Sequence, residues 1–533
     1  MAMEANSLTF RDKQITLVVL LALGIVITLT NSSFTFMDDE IAMLQDALVP
    51  MSQTIHSFVD GAGLHRHPPL YDLLLACWMR LTGARVSLLR VPAVAFYLLG
   101  LWFVVRAAGL IGGAAASRAA LWLGVVFPYG FHFGRIAGWY SLSFCTVAAL
   151  TCAYLLFAEK PGWKRWLLVI VACELALYTN YFLFAFAGLL LLDYCFTHRR
   201  SLSAHPGAVA ATVLVVLIAS YPILRAFFFR LAVDRAILHP VYSLAATVLF
   251  GGYNVYTLFV SESMAPWFWY FSIPVLVVMA FCAYFVLRHA PPAAVKLFLG
   301  FLACTLSMTL LNLINTKRLL FLAPWLLIPL AVMLVNLPHS KTRRVATLAL
   351  ALTGAIGWFG IVSRHYYAAP RLIEPWRPVA LEAADEVKKD AVVIGNNPSF
   401  FFYLTEVLRS SATPARSDFV GTYPVYLKHP RLFDTNQWLQ AGKIYGPTTV
   451  LVKGAADETF WGSTAATEKV LEQTCRLEGV ERELPDSGIA LKQRWFADAR
   501  QPSWRIEVRT YRCPEANVAA ALPRALTDPK GRL

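Results

Sequence analysis

The sequence has little charge and lacks the motifs that hold soluble cofactors. Of its 533 residues, 15% are charged and 57% are hydrophobic, and the mean hydropathy is +0.55. It contains no CxxC pair, no metal-type spacing of Cys and His, and no Gly-rich phosphate loop. A typical soluble domain carries about 25% charged residues. The composition therefore excludes an ordinary soluble protein and indicates a polytopic membrane protein.

The first apolar run, Ile15 to Thr30, lacks a small-x-small cleavage site and follows two basic residues. We interpret it as an uncleaved signal anchor. The net charge of +14 comes almost wholly from the part before Arg364, because acidic and basic residues nearly balance after it. That distribution favours loop charges and contact with anionic membrane lipids over nucleic acid.

The apolar runs predict a polytopic α-helical protein of about 11 to 13 spans. Eleven runs are long enough to cross the membrane: 15–31, 89–109, 115–132, 141–158, 166–180, 181–196, 207–228, 267–288, 296–314, 319–336 and 345–363. A shorter run, Pro69 to Leu81, contains Asp72 and Arg80. We interpret this run as re-entrant or interfacial, and not as a span.

The positive-inside rule then orients the chain, because with eleven spans every basic loop falls on the cytoplasmic side. The loop 32–88 and the region 365–533 fall on the other side. We predict a transmembrane domain over 1–364 and a small extracytoplasmic α/β domain over 365–533, since the latter alternates helical and strand patterns. The expected location is the bacterial cytoplasmic (inner) membrane, with the C-terminal domain in the periplasm.

The cysteines fit this arrangement. Seven lie in apolar segments, where small buried hydrophobes are expected, and only Cys475 and Cys513 lie in the C-terminal region. A pair of cysteines in an oxidising compartment favours a disulfide.

Two polar stretches on the predicted outer face stand out. "MDDE" (37–40) follows the first span, and its acids either cap a helix that lies on the membrane surface or serve chemistry. Three successive carboxylates point about 100° apart on a helix, so they cannot all cap. Basic residues in "HRHPP" (65–69) and "TKR" (316–318) oppose the positive-inside bias, which an anion near the outer leaflet would explain.

The motifs "MDDE", "HPPLYDLLLACWMRLTG", "LLRVPAVAF", "GRIAGWYSL", "LYTNYFLF" and "KRLLFLAPWLLIPLAVML" resemble, in this order, those of the GT-C superfamily. The resemblance is to dolichyl-phosphate-mannose-protein mannosyltransferases and RgtA/B/C/D-like membrane glycosyltransferases, and it covers roughly residues 10–363. It implies inverting transfer of a hexosyl or pentosyl unit from a polyprenyl-phosphate donor to a glycan, lipid or protein acceptor on the outer face.

The resemblance also implies site residues. Asp39 matches the catalytic base, with Glu40 and Asp38 as alternatives. The donor phosphate would be held by a cationic set, and other substrate contacts would come from three polar side chains. These two sets are His67, Arg90, Arg318, Lys317 and Arg135, and then Tyr71, Tyr140 and Asn180.

The sequence departs from the pattern at two positions. "GRIAGWYSL" has no acid where many relatives carry one, and Asn180 stands where histidine is common. A divalent cation, with Asp39 as a ligand, is therefore left open as a cofactor and not predicted. Glu174 is either a functional acid within the membrane or, preferably, paired with a neighbouring helix.

Two other classes of protein remain as alternatives. A lipid or glycan transporter or flippase would be expected to show internal repeats and charges near the midplane, and we find neither. A non-catalytic scaffold would leave the clustered acids and bases unexplained.

Overall fold

The computed structural model describes residues 9–31, 34, 36, 38–59, 67–82, 86–197, 206–234, 244–264, 266, 268–311, 313–314, 316, 318–363, 376–411, 431–440, 445–454, 464–483 and 506–514. The chain divides into two compact units. The first consists of Met1–Ser32 and Asp46–Ser363, and the second of Ser33–Gln45 and Arg364–Leu533. Residues 33–45, which the sequence prediction kept in the first domain, thus cluster with the second unit.

The first unit is helical throughout its described part. Six helices are long and apolar enough to cross a membrane: Phe10–Leu29, Val91–Val126, Trp139–Glu159, Trp269–His289, Pro292–Leu310 and Ser340–Val362. The remaining longer helices are Trp163–Leu177, Phe184–Thr197, Pro206–Asp234, Leu244–Val260 and Pro324–Asn336. Shorter helices are Met51–Val59, Leu70–Thr82, Val86–Leu89 and Pro128–Phe133, with 3₁₀ turns at Tyr181–Leu183 and Leu320–Leu322.

Apolar side chains on the outside of these helices identify the surrounding solvent as lipid. On the first helix, Leu17, Val18, Leu21 and Ile25 are all exposed. Exposing such a face to water would be unfavourable, whereas exposing it to the hydrocarbon of a membrane is not. The first unit is a multi-pass membrane domain. The predicted total of eleven spans is not confirmed, since the described residues yield six helices that meet both length and composition.

Two of the predicted spans, 89–109 and 115–132, form the arms of one helical hairpin. The helix Val91–Val126 changes direction at Gly113. The φ of this residue is 75°, which glycine adopts readily and which is strained for residues with a side chain. Across the hairpin, Ser117 Oγ donates to the Val105 carbonyl oxygen at 3.0 Å, and Tyr97 OH donates to the Gly124 carbonyl oxygen at 3.3 Å. These contacts bring Tyr97 close to the loop that follows the second arm.

One apolar helix was not predicted. Leu244–Val260 is an apolar helix of 17 residues that contains two glycines and Asn254. Asn254 lies buried and donates to Thr309 Oγ1 at 3.1 Å, so the polar group is satisfied by the helix Pro292–Leu310. The 13-residue helix Leu70–Thr82 corresponds to the short run interpreted as non-spanning, and at 1.5 Å per residue it reaches about 20 Å.

The second unit contains a five-stranded mixed sheet with the order β2-β1-β3-β5-β4. Its strands are β1 (Val392–Gly395), β2 (Leu432–Asp434), β3 (Thr448–Gly454), β4 (Arg476–Glu483) and β5 (Ile506–Arg512). β1 is parallel to β2 and β3, and β5 is antiparallel to β3 and β4. The helices are Trp376–Lys388, Pro398–Ser411, Thr435–Gln440 and Ala465–Thr474.

The core of this α/β unit forms where the strands meet their helices. Ile394, Leu451, Trp438 and Leu471 are completely buried in it. Cys475 and Cys513 are joined by a disulfide and lie at the edge of the same core. The bond ties the start of β4 to the end of β5. The side of the membrane on which this unit lies stays a prediction.

Candidate active site

The end of the first span is held by two buried arginines of the first unit. Arg90 donates from Nη1 to the Asn31 carbonyl oxygen at 3.0 Å. Arg135 donates from Nη1 to Thr30 Oγ1 at 3.0 Å and to the Ile27 carbonyl oxygen at 3.4 Å. Each side chain is 1% exposed. Arg135 thus satisfies a carbonyl of the last helical turn, Arg90 one just past the helix, and both place positive charge at the negative end of the helix dipole.

The loop between the hairpin and the helix Trp139–Glu159 fixes the position of Arg135. Its guanidinium lies 4.4 Å from the centre of the Phe131 ring, and Nε donates to the Phe131 carbonyl oxygen at 3.2 Å. One turn away, buried His132 Nδ1 lies 2.9 Å from Ser261 Oγ. Arg135 and Arg90 both lie within electrostatic range of His132. The loop therefore contributes His132 and Arg135, and Arg90 lies within electrostatic range of the same histidine.

Tyr129 connects this loop to the segment that carries Arg318. Its hydroxyl donates to the Thr316 carbonyl oxygen at 2.7 Å and accepts from the Leu319 backbone N–H at 3.0 Å. Arg318 lies between these two anchor points and is half-buried. Lys317, the neighbouring predicted cation, lies outside the described residues.

The "HPPLY", "GWY" and "YTN" motifs also meet. The His67 ring lies 4.9 Å from that of Trp139, which stacks on Tyr140 at 4.5 Å. The Leu70 backbone N–H donates to the Tyr178 carbonyl oxygen at 3.2 Å. His67 is half-buried, so an apolar ring surface supports it and part of it stays accessible. Motifs that lie far apart in sequence are brought together within the first unit.

The three other predicted substrate residues are buried. Tyr71 and Tyr140 are at most 2% exposed. Asn180 caps the 3₁₀ turn Tyr181–Leu183, because its Oδ1 accepts from the Phe182 backbone N–H at 2.9 Å. This capping role explains the presence of Asn180 without any contact to a substrate. A contact between the substrate and any of the three residues stays a prediction.

The acids begin the helix Asp38–Leu48, and they belong to the second unit. Asp39 is half-buried, whereas Glu40 is fully buried. The side chain of Asp38 lies outside the described residues. The exposure favours Asp39 over Glu40 as the carboxylate that a substrate can reach.

Sequence reasoning missed three buried polar side chains of the first unit. His132 sits in "FHFGR", three residues before Arg135, and this spacing is the signal that would have found it. Glu262 is buried next to Ser261 and close enough to Tyr129 to act on it electrostatically. Asp72 is 3% exposed, and its Oδ1 has no hydrogen-bond partner among the described residues.

Burial is the main reason that the pKa of Asp72 lies well above its ordinary value. The nearby charge of Asp46 raises it further. The carboxyl group is therefore neutral over a wider pH range than an exposed aspartate. Glu174, by contrast, accepts from Ser220 Oγ at 3.0 Å, so the structure contains the pairing with a neighbouring helix that the sequence favoured.

No cluster of three or more His, Cys, Asp or Glu with metal-binding geometry occurs in the described part of the chain. A cation bound by side chains of the described residues alone would have at most two such ligands.

Fold and motifs together define a multi-pass membrane protein that resembles the GT-C glycosyltransferases. Residues 66–225 match the family described as dolichyl-phosphate-mannose-protein mannosyltransferase, which confirms the predicted resemblance. No curated protein sequence matches the chain.

The solved structures of ArnT from Cupriavidus metallidurans, in the apo state and bound to undecaprenyl phosphate, share the fold of this chain. Each matches with a TM-score of 0.52 at 12% identity, over 93% of this chain and 97% of the other. The arabinofuranosyltransferase AftD from Mycobacteria matches with a TM-score of 0.45 at 14% identity, over 97% of this chain and 40% of its own. A TM-score of 0.45 does not show a shared fold.

Proposed function

We propose that the protein is an integral-membrane inverting glycosyltransferase. It would move a sugar from a polyprenyl-phosphate donor to a glycan, lipid or protein acceptor on the outer face of the cytoplasmic membrane. The observation that carries the proposal is the convergence of cationic and aromatic motifs in the first unit, within and around the segment that matches the mannosyltransferase family. The undecaprenyl phosphate in one ArnT structure supports a lipid-phosphate donor.

The donor phosphate is assigned to the half-buried cations His67 and Arg318. Each keeps exposed surface, and each is fixed from behind, His67 by Trp139 and the Arg318 segment by Tyr129. Arginine matches phosphate oxygens with two parallel N–H donors. Lys317 is assigned to the same role from its place beside Arg318.

Arg90 and Arg135 are assigned to the same phosphate as buried charges that act on it through their electrostatic field. Both guanidinium groups are buried; that of Arg90 donates to the Asn31 carbonyl oxygen, and that of Arg135 donates to Thr30 Oγ1 and the Ile27 carbonyl oxygen. Buried positive charge still stabilises a negative charge nearby, because the surrounding dielectric constant is low. They would contribute to the field at the leaving phosphate while shaping the end of the span.

Transfer itself requires a base and a stabilised leaving group. We assign Asp39 as the base that removes the proton from the acceptor hydroxyl as it attacks the anomeric carbon. Glu40 and Asp38 are its alternatives. The bond from the anomeric carbon to the phosphate oxygen breaks, and the cations stabilise the departing polyprenyl phosphate. Attack opposite the leaving group inverts the anomeric configuration.

The test is to incubate the purified protein in detergent with a panel of polyprenyl-phosphate sugars and candidate acceptors. Release of polyprenyl phosphate, with formation of a product of inverted configuration, is the expected result. A protein that releases no polyprenyl phosphate from any donor, yet moves labelled lipid across reconstituted vesicles, would instead be a flippase.

A further inference from the structure

A segment just before the acidic helix is bound into the second unit through its backbone. Phe36 uses both of its main-chain polar groups there. Its N–H donates to Tyr403 OH at 2.9 Å, and its carbonyl oxygen accepts from Ser399 Oγ at 2.9 Å. Both bonds are buried, and the partners lie more than 360 residues away in sequence.

The Phe36 side chain adds an aromatic contact to these two bonds. Its ring is 4% exposed and lies 5.0 Å from that of Phe402 and 6.5 Å from that of Tyr403. We call the group of Phe36, Ser399, Phe402 and Tyr403 the Phe36 clamp. A residue held at its N–H, its carbonyl and its ring has little freedom to shift or rotate.

The other half of the clamp rests on the sheet. β1 ends at Gly395, and after two asparagines the helix Pro398–Ser411 begins. Asn397 caps that helix, because its Oδ1 accepts from the backbone N–H groups of Ser399 at 2.8 Å and Phe400 at 3.2 Å. Ser399 and Tyr403 are one helical turn apart, so both face Phe36 from a rigid element.

Only residue 37 separates the clamp from the first residue of the acidic helix. Restraint at Phe36 therefore limits how far the start of the helix, and with it Asp39 three residues later, can move. We propose that Ser399 and Tyr403 are positioning residues that hold the catalytic acid of the proposed transferase in register. This inference rests on the proposed function, and it assigns the C-terminal α/β unit a part in the reaction.

A purely structural anchor is the competing explanation. Two neutral hydrogen bonds contribute modestly to stability, and loss of either in an isosteric variant would leave the fold intact. Catalysis is more sensitive, because a displacement of about 1 Å of a reacting group can lower the rate by about 10². The two explanations therefore differ in what happens to turnover at unchanged stability.

The test uses the full-length protein and isosteric substitutions at the clamp. Tyr403→Phe removes the acceptor hydroxyl but keeps the ring, Ser399→Ala removes the donor, and a double variant removes both. Ser399→Thr keeps the hydroxyl and serves as the conservative rescue. Tyr445→Phe is the matched control, since the Tyr445 hydroxyl lies 3.4 Å from Thr474 in the same unit and does not bond Phe36.

Four quantities are measured for each variant: kcat, the KM for the donor, hydrogen–deuterium exchange of the peptide 34–44, and the thermal midpoint. We expect the double variant to lose about tenfold to a hundredfold in kcat, with an unchanged donor KM and faster exchange. Ser399→Thr and Tyr445→Phe should keep kcat within about twofold of wild type, because neither substitution removes a hydrogen bond to Phe36.

Three results would overturn the inference. Unchanged kcat with faster exchange would make the clamp a structural anchor, and would leave the proposed function intact. A raised donor KM with unchanged kcat would assign the segment to donor binding. A wild-type protein that releases no polyprenyl phosphate from any donor would overturn the proposed function, and the positioning role with it.

Discussion

The two units differ in the sign of the charge they contribute to the proposed chemistry. The predicted cations with described side chains, His67, Arg90, Arg135 and Arg318, all belong to the helical membrane unit, whereas the acids 38–40 belong to the α/β unit. In the proposed mechanism, binding of the leaving phosphate and removal of the acceptor proton are therefore assigned to residues of different units. Each function can therefore be perturbed by itself.

The units also differ in what holds them together. The membrane unit exposes apolar faces to lipid and satisfies its buried polar groups by hydrogen bonds such as Trp325 Nε1 to Thr151 Oγ1 at 2.8 Å. The α/β unit uses ion pairs between the helix Ala465–Thr474 and the sheet, including Lys453 with Glu468 at 2.9 Å, and a disulfide.

The largest effect is expected at the acid of the second unit. Asp39→Asn keeps the size and a capping oxygen but cannot accept the proton, so transfer should fall by about 10² to 10⁴. Expression and thermal midpoint should stay near wild type. The rate of polyprenyl phosphate release measures this, with Asp38→Asn as the milder comparison. Loss of activity in Glu40→Gln and not in Asp39→Asn would make Glu40 the base.

Removal of the disulfide should weaken the second unit alone. Paired Cys475→Ser and Cys513→Ser substitutions open a loop with a sequence separation of 38 residues. Loop-closure entropy then predicts a loss of about 4 kcal/mol in the stability of that unit. Limited proteolysis after mild heating measures it, and Cys77→Ser, at an exposed free cysteine of the first unit, is the control. Equal resistance to proteolysis would show that the bond contributes nothing.

Loss of either accessible cation should weaken donor binding by a smaller factor. Arg318→Ala and His67→Ala each remove a charge-assisted contact, which is worth about 1.5 to 3 kcal/mol, or roughly ten- to a hundredfold in affinity. Binding of a fluorescent polyprenyl phosphate measures it. Unchanged affinity in both variants would mean that the phosphate binds elsewhere.

The smallest effect is expected at the buried acid of the first unit. Because the pKa of Asp72 is raised in the fold, its charge costs stability increasingly as pH rises above the ordinary value. Asp72→Asn removes that cost, so the thermal midpoint should rise relative to wild type at pH 8, and by less at pH 5. A destabilised variant at both pH values would show that the ionised carboxylate is held by favourable contacts.

The sequence predicted the elements of the membrane unit better than their arrangement. The predicted spans 89–109 and 115–132 correspond to the two arms of the hairpin. Apolar runs and a glycine between them are local features, so the sequence alone can indicate them. Leu244–Val260 was missed although the helix is apolar, so the sequence did carry a signal for it. An extra crossing there would invert the sidedness of everything after it, which is why orientation stays a prediction.

For the candidate site, the sequence indicated which residues to consider but not which residues they contact in the fold. Asn180 is a local cap that the "TNYF" pattern could have indicated. The burial of Arg90 and Arg135 against the end of the first span depends on contacts between distant helices. The Phe36 clamp joins residues more than 360 positions apart. Single-sequence patterns carry no information on such separations.

The most direct test measures single-turnover rate and donor affinity side by side in Asp39→Asn and Arg318→Ala. The account predicts different patterns: Asp39→Asn loses rate with the donor Kd unchanged, whereas Arg318→Ala weakens the donor Kd. Arg318→Ala would also slow transfer, since the same cation stabilises the leaving phosphate. An Asp39→Asn variant that binds donor as weakly as Arg318→Ala and transfers at the wild-type rate when saturated would contradict the division of binding and catalysis between the two units.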